Sequence, residues 1–128
     1  MAEMSNYLEN ALINVTLRAT AYTAPTTVYV GLYTTDPTDA NTGTEVSGGS
    51  YARVAVTFGA PSNGVSTNSA AVEFAAATGS WGTVGWIGIL DALTTGNLLY
   101  HTPLDVSKTI SSGDVFKINT GSLSVTLA

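Results

Sequence analysis

The sequence predicts an all-β domain: an antiparallel two-sheet β-sandwich of jelly-roll type, with about eight strands and a short N-terminal helix. Three observations predict it. Short runs that alternate apolar and polar residues recur between clusters of Gly, Asn, Ser and Asp, at the spacing of about 8–12 residues that sandwiches show. Only one segment, near the N-terminus, has a helical period. The 128 residues, 45% of them hydrophobic, suffice for one core and not for two. Residues 1–128 are therefore expected to be a single domain, with 5–18 as a helix or arm and 26–128 as the sandwich.

The helix is read from Leu8, Leu12, Val15 and Ala19, which recur at steps of four, three and four; Ile13 and Leu17 widen that stripe. Ser5 or Asn6 can cap its start, Glu9 lies in the first turn where the helix dipole favours an anion, and Ala24-Pro25 closes the segment. Such a helix packs over an edge of the sheet or docks as an arm on a neighbouring subunit.

Strand character begins at residue 26. Val28, Val30 and Leu32 alternate with Tyr29, Gly31 and Tyr33, giving a strand with an aromatic outer face. Asp36-Pro37-Thr38-Asp39 opens a polar loop that runs to Gly48-Gly49-Ser50. Residues 51–58 alternate again, with Val54, Val56 and Phe58 on one side and Arg53, Ala55 and Thr57 on the other. A second polar loop covers 59–68, and Ala70, Val72 and Phe74 then mark a half-buried strand. Residues 81–90 form a longer strand in which Gly82, Gly85 and Gly88 predict a bulge or a close backbone approach. After a turn at 92–97 comes a strand at 98–104. Ser111-Ser112-Gly113-Asp114 then connects 106–110 to 115–118 in hairpin fashion, and 123–127 is the last strand.

Composition restricts the function. Charged residues are 10% of the chain, against about 25% in an average domain, so part of the surface is expected to be covered by further copies or by a larger assembly. A net charge of -5, with Arg18, Arg53, Lys108 and Lys117 dispersed, argues against nucleic acid. The chain has no cysteine, which excludes disulfides and thiolate metal sites. Met1-Ala2-Glu3-Met4 does not open a secretory signal, and no apolar run is long enough to span a membrane.

Catalytic chemistry finds little support. Asp36, Asp39 and Glu45 supply three carboxylates, but their spacing matches no fixed calcium loop, and Asp-Pro-Thr-Asp reads equally as a type I turn. His101 has no nucleophile motif to serve and reads as a satisfied strand histidine. Asp91, Asp105 and Asp114 stand where turns favour Asp, although a facing pair of them would suit glycoside hydrolysis. No catalytic residue, metal ligand or cofactor is assigned, and the chain is not read as an enzyme. Aromatic residues offer the one recognition signal: Trp81, Tyr33 and Tyr51 are candidate glycan or interface contacts, with Trp81 expected at the surface and Trp86 in the core.

The run from Ser5 to Asn14, the stretch Val28-Tyr29-Val30-Gly31-Leu32-Tyr33-Thr34-Thr35-Asp36-Pro37-Thr38-Asp39, the segment Glu45-Val46-Ser47-Gly48-Gly49-Ser50-Tyr51-Ala52-Arg53, and Trp81-Gly82-Thr83-Val84 together resemble a family of small tailed-bacteriophage virion proteins. Members carry tail-fibre labels. The resemblance implies a structural protein, expected to be a homotrimeric β-sandwich made in the host cytoplasm and carried on the virion. The expected role is capsid cement: binding the major capsid protein on the outer shell and stabilising it. The alternative is a tail-fibre or tailspike tip that binds a host surface glycan.

Overall fold

The computed structural model describes residues 2–127. Its elements in chain order are β1 (Glu3–Met4), α1 (Asn6–Leu17), β2 (Val28–Tyr33), β3 (Val54–Val56), β4 (Val65–Thr67), β5 (Val72–Glu73), β6 (Gly82–Leu90), β7 (Leu98–Ile110), β8 (Lys117–Ile118) and β9 (Ser124–Thr126). A five-stranded antiparallel sheet, in the order β1-β7-β6-β2-β3, forms one layer. Two short ribbons, β4-β9 and β5-β8, oppose it. The all-β expectation with one short helix is met, and the layers are those of a sandwich.

The alternation read from sequence is what builds the core. Val30 and Leu32 of β2, Val56 of β3, Val84, Ile87 and Ile89 of β6, and Ile110 of β7 point inward from the large sheet. Val72 and Phe74, Phe116 and Ile118, and Leu123 and Val125 meet them from the ribbons. Fully burying an aliphatic side chain of this size stabilises by about 1.5–3 kcal/mol. The ribbons, two or three residues long, are held mainly by this packing.

Both faces of the large sheet are covered near β2. Tyr33, predicted on an aromatic outer face, is only 2% exposed; it packs with Leu90 and Leu98 in a second small cluster flanked by Trp86. Two glycines make that possible. A Cβ on Gly88 would lie 2.7 Å from Leu98 Cδ1 and 2.9 Å from Tyr33 Cε1, and one on Gly31 would lie 2.9 Å from Glu45 Oε2. The predicted bulge is present as well: the β6-β7 register shifts between Val84 and Trp86, around Gly85.

Besides β1, which was not expected, three assignments differ from expectation. β4 lies inside the predicted polar loop 59–68, where Asn63 (φ 51°) and Gly64 (φ 78°) form a tight turn that brings Ser62 and Val65 into a bridge. Residues 98–104 and 106–110 are one continuous strand, β7, because β6 supplies partners out to the Gly82–Ile110 pair. The connection at 111–114 is a turn, with Asp114 N–H donating to the Ser111 carbonyl (3.0 Å). It does not close a hairpin, since β7 pairs with β6 while β8 pairs with β5.

Helix α1 is capped as predicted: Ser5 is extended (φ -74°, ψ 159°), and its Oγ accepts from Leu8 N–H at 3.2 Å. Only Leu8 among its residues is buried.

Candidate functional site

Trp81 and Tyr33, proposed from sequence as glycan or interface contacts, do not offer free ring faces. Trp81 is 4% exposed. Its indole N–H donates to the Gly49 carbonyl at 2.9 Å, and its ring meets Tyr51 edge-on at 5.4 Å and Phe74 at 6.3 Å. Tyr51, half-buried, stacks on Phe74 at 6.1 Å. An indole between Ser80 and Gly82 was expected at the surface; it is drawn inward because the Gly48-Gly49 turn supplies an acceptor for its one polar atom. Trp86, expected in the core, flanks the smaller cluster and is half-buried.

The segment from Glu45 to Arg53 forms a closed ionic network. Arg53 Nε donates to Glu45 Oε2 and Nη2 to Oε1, both at 2.8 Å, the bidentate geometry of a strong guanidinium–carboxylate pair. Arg53 Nη1 donates to the carbonyls of Ala92 (2.7 Å) and Thr95 (2.8 Å), tying the 92–97 turn to the network. Tyr51 Oη donates to Glu45 Oε2 at 2.7 Å and accepts from Leu32 N–H at 2.9 Å. Burial, followed by the hydrogen bond to Glu45, raises the Tyr51 pKa far above the ordinary phenol value, and burial pushes that of Tyr33 up to about 12. Arg53 is likewise raised, first by its hydrogen bond to Glu45. This network accounts for the Glu-Val-Ser-Gly-Gly-Ser-Tyr-Ala-Arg run: the two glycines, both at positive φ, turn the chain so that its ends meet.

The three carboxylates weighed in sequence as a loop cation site, Asp36, Asp39 and Glu45, are not brought together as one donor set. Glu45 belongs to Arg53. Asp36 Oδ1 accepts from Thr38 N–H at 2.9 Å, as in an Asx turn. Asp39 reaches across to His101, with Oδ1 2.8 Å from Nε2. The other acidic candidates are separately placed. Asp91 accepts from Asn97 N–H (2.7 Å) and Asp114 from Ser111 N–H (2.8 Å), while Asp105 lies exposed on β7.

His101, satisfied as the sequence suggested, anchors the N-terminal segment. Glu3 pairs with His101, and Met4 with Tyr100, in the β1-β7 ladder. Ser5 N–H donates to the Leu99 carbonyl and Asn6 N–H to the Asp39 carbonyl, each at 2.9 Å. Ser5 Oγ donates to the Leu98 carbonyl. The first turn of α1 is thus fixed to the body by hydrogen bonds that no periodicity could reveal.

Beyond that turn the helix is apolar on two sides. Ile13 and Leu17 lie about 140° and 180° around the axis from buried Leu8, at about 100° per residue, and they are 53% and 79% exposed. Tyr7 and Val15 are also exposed. A helix with apolar residues around much of its circumference is ordinarily covered on more than one side. This anchored, partly uncovered helix is the most distinctive surface among the described residues.

The profile of the podophage GP4 fiber I protein gp80 family matches residues 3–126, from β1 through β9. Among curated proteins, none matches the chain significantly. A match over nearly the whole fold means that the chain belongs to the podophage GP4 fiber I protein gp80 family and is a structural protein of a tailed-phage virion.

Proposed function

We propose that this chain is a non-enzymatic subunit of the fibre apparatus, built into the virion through helix α1, and that it self-associates as a homotrimer. The observation that carries this reading is the pairing of a fibre-family match over residues 3–126 with exposed Ile13 and Leu17 on the side of α1 opposite buried Leu8. The body's Glu45–Arg53 pair and the Trp81 ring are engaged internally, while Leu17, at 79%, is the most exposed of the large apolar side chains. That suits permanent protein–protein contact, whose interface cores are depleted in charge.

The glycan-binding reading loses its main support with Trp81 and Tyr33 buried. The capsid-cement reading keeps the sparse charge of the chain in its favour, but the family description favours the fibre. Copy number separates the two. Quantitative mass spectrometry of purified particles against the major capsid protein should give a few to a few dozen copies for a fibre component. Copies in proportion to the capsomers would overturn the fibre assignment in favour of shell decoration, where many copies stabilise the assembled shell by mass action.

A further inference from the structure

His101, hydrogen-bonded to Asp39, stands within reach of two further carboxylates. Its side chain is 6% exposed, and three carboxylates face it from two other segments. Asp39 Oδ1 lies 2.8 Å from Nε2, Glu3 Oε2 lies 3.9 Å from the same nitrogen, and Asp36 Oδ1 lies 4.0 Å from Nδ1. None of the four Lys and Arg side chains forms an ion pair with these three acids among the described residues, and Arg53 is committed to Glu45.

We propose that Glu3, Asp39 and His101 form a site for a divalent transition-metal cation of the zinc class, with Asp36 as the outer carboxylate that orients the ring. The three ligand atoms all lie within 4.8 Å of one another. Zinc bound to N and O at about 2.0–2.2 Å in tetrahedral geometry sets its ligands about 3.3–3.6 Å apart, and the separations of 2.8 and 3.9 Å here bracket that spacing. Glu3 and Asp39 are 71% and 47% exposed, so their side chains can make the small adjustment required. With a cation on Nε2, the proton resides on Nδ1; Asp36 Oδ1, 4.0 Å away, would close in to complete the carboxylate–histidine–metal relay seen at metal-bound histidines. A mixed imidazole and carboxylate set favours zinc over calcium, which prefers oxygen donors alone. The ion would join β1, the 36–45 loop and β7 at the root of α1.

The test uses the full untagged chain, stripped with EDTA and titrated with ZnCl2 by calorimetry, with Co2+ absorption as a second readout. The expected result is one equivalent per chain, a higher melting temperature, and the visible bands of four-coordinate cobalt. Glu3→Gln, at an exposed side chain, should keep the metal-free melting temperature and weaken binding at least tenfold. Asp36→Asn should weaken it by about ten- to hundred-fold. Glu73→Gln, exposed on β5, should leave binding unchanged. Failure of the stripped chain to take up zinc would overturn the proposal. So would uptake that is undiminished in both Glu3→Gln and Asp39→Asn.

Discussion

In the body of this protein, Glu45 gives both carboxylate oxygens to Arg53 and one of them also to Tyr51, and the indole N–H of Trp81 ends on Gly49. Along α1, by contrast, the apolar side chains of Ile13 and Leu17 remain 53% and 79% exposed among the described residues. The body closes on itself; the arm is firmly rooted through Ser5 and Asn6 yet leaves its outer side uncovered. The difference separates residues that hold the fold from residues available for assembly. It also predicts that substitutions in the two regions fail in different assays.

The largest effect on stability is expected in the Glu45 network. Arg53→Leu leaves a half-buried carboxylate without its guanidinium and the Ala92 and Thr95 carbonyls without a donor. Breaking a buried pair costs about 3–5 kcal/mol, and the partial exposure of Glu45 reduces this to about 2–3 kcal/mol. Urea denaturation checks it, and an unchanged midpoint would mean that the network is ornamental.

Gly88→Ala ranks next. A methyl group 2.7 Å from Leu98 Cδ1 and 2.9 Å from Tyr33 Cε1 overpacks the smaller cluster, at a cost of about 1–3 kcal/mol. Thermal denaturation should show the loss, whereas the same change at Gly85, where a Cβ meets nothing within 4 Å, should cost less.

Alkaline pH probes the same half of the comparison. Tyr33 ionises near pH 10 when unfolded and at about 12 when folded. The folded state therefore holds its proton longer than the unfolded state does. Stability is intact below about pH 10 and declines as the pH rises towards 12. Ultraviolet titration of tyrosinate, followed together with unfolding, should find Tyr33 ionising no earlier than the structure opens.

The smallest change in stability is expected on the arm. Leu17→Ser, at a side chain 79% exposed, should alter stability by no more than about 0.5 kcal/mol.

Much of the fold was legible in the sequence because burial alternates where the large sheet has one inner face. The Val54, Val56 and Phe58 side and the Val72 and Phe74 side follow directly from that pattern, and the bulge at Gly85 from the glycines that interrupt it. Ser5 as the helix cap was legible for the same local reason. β1 was not, because two residues carry no period and the strand exists only through its ladder to Tyr100 and His101. β4 was missed although Asn63-Gly64 is a hairpin signal; its Val65 is exposed and gives the run no apolar face. The Glu45–Arg53 stretch stood out as distinctive, but its meaning depends on Ala92 and Thr95, some forty positions away. Tyr33 misled because alternation assigns sides without showing that the 36–45 loop reaches the outer one, and Trp81 because its place between Ser80 and Gly82 does not reveal the distant Gly49 acceptor.

The central claim, that the arm assembles and the body holds the fold, is tested most directly by incorporation into particles. A phage carrying Ile13→Asp together with Leu17→Asp would be purified and the chain quantified by mass spectrometry, alongside the melting temperature of the isolated variant. The account predicts a variant that melts as the parent does and is depleted from the particles. Incorporation at the parental copy number would contradict it and move the assembly surface elsewhere on the body.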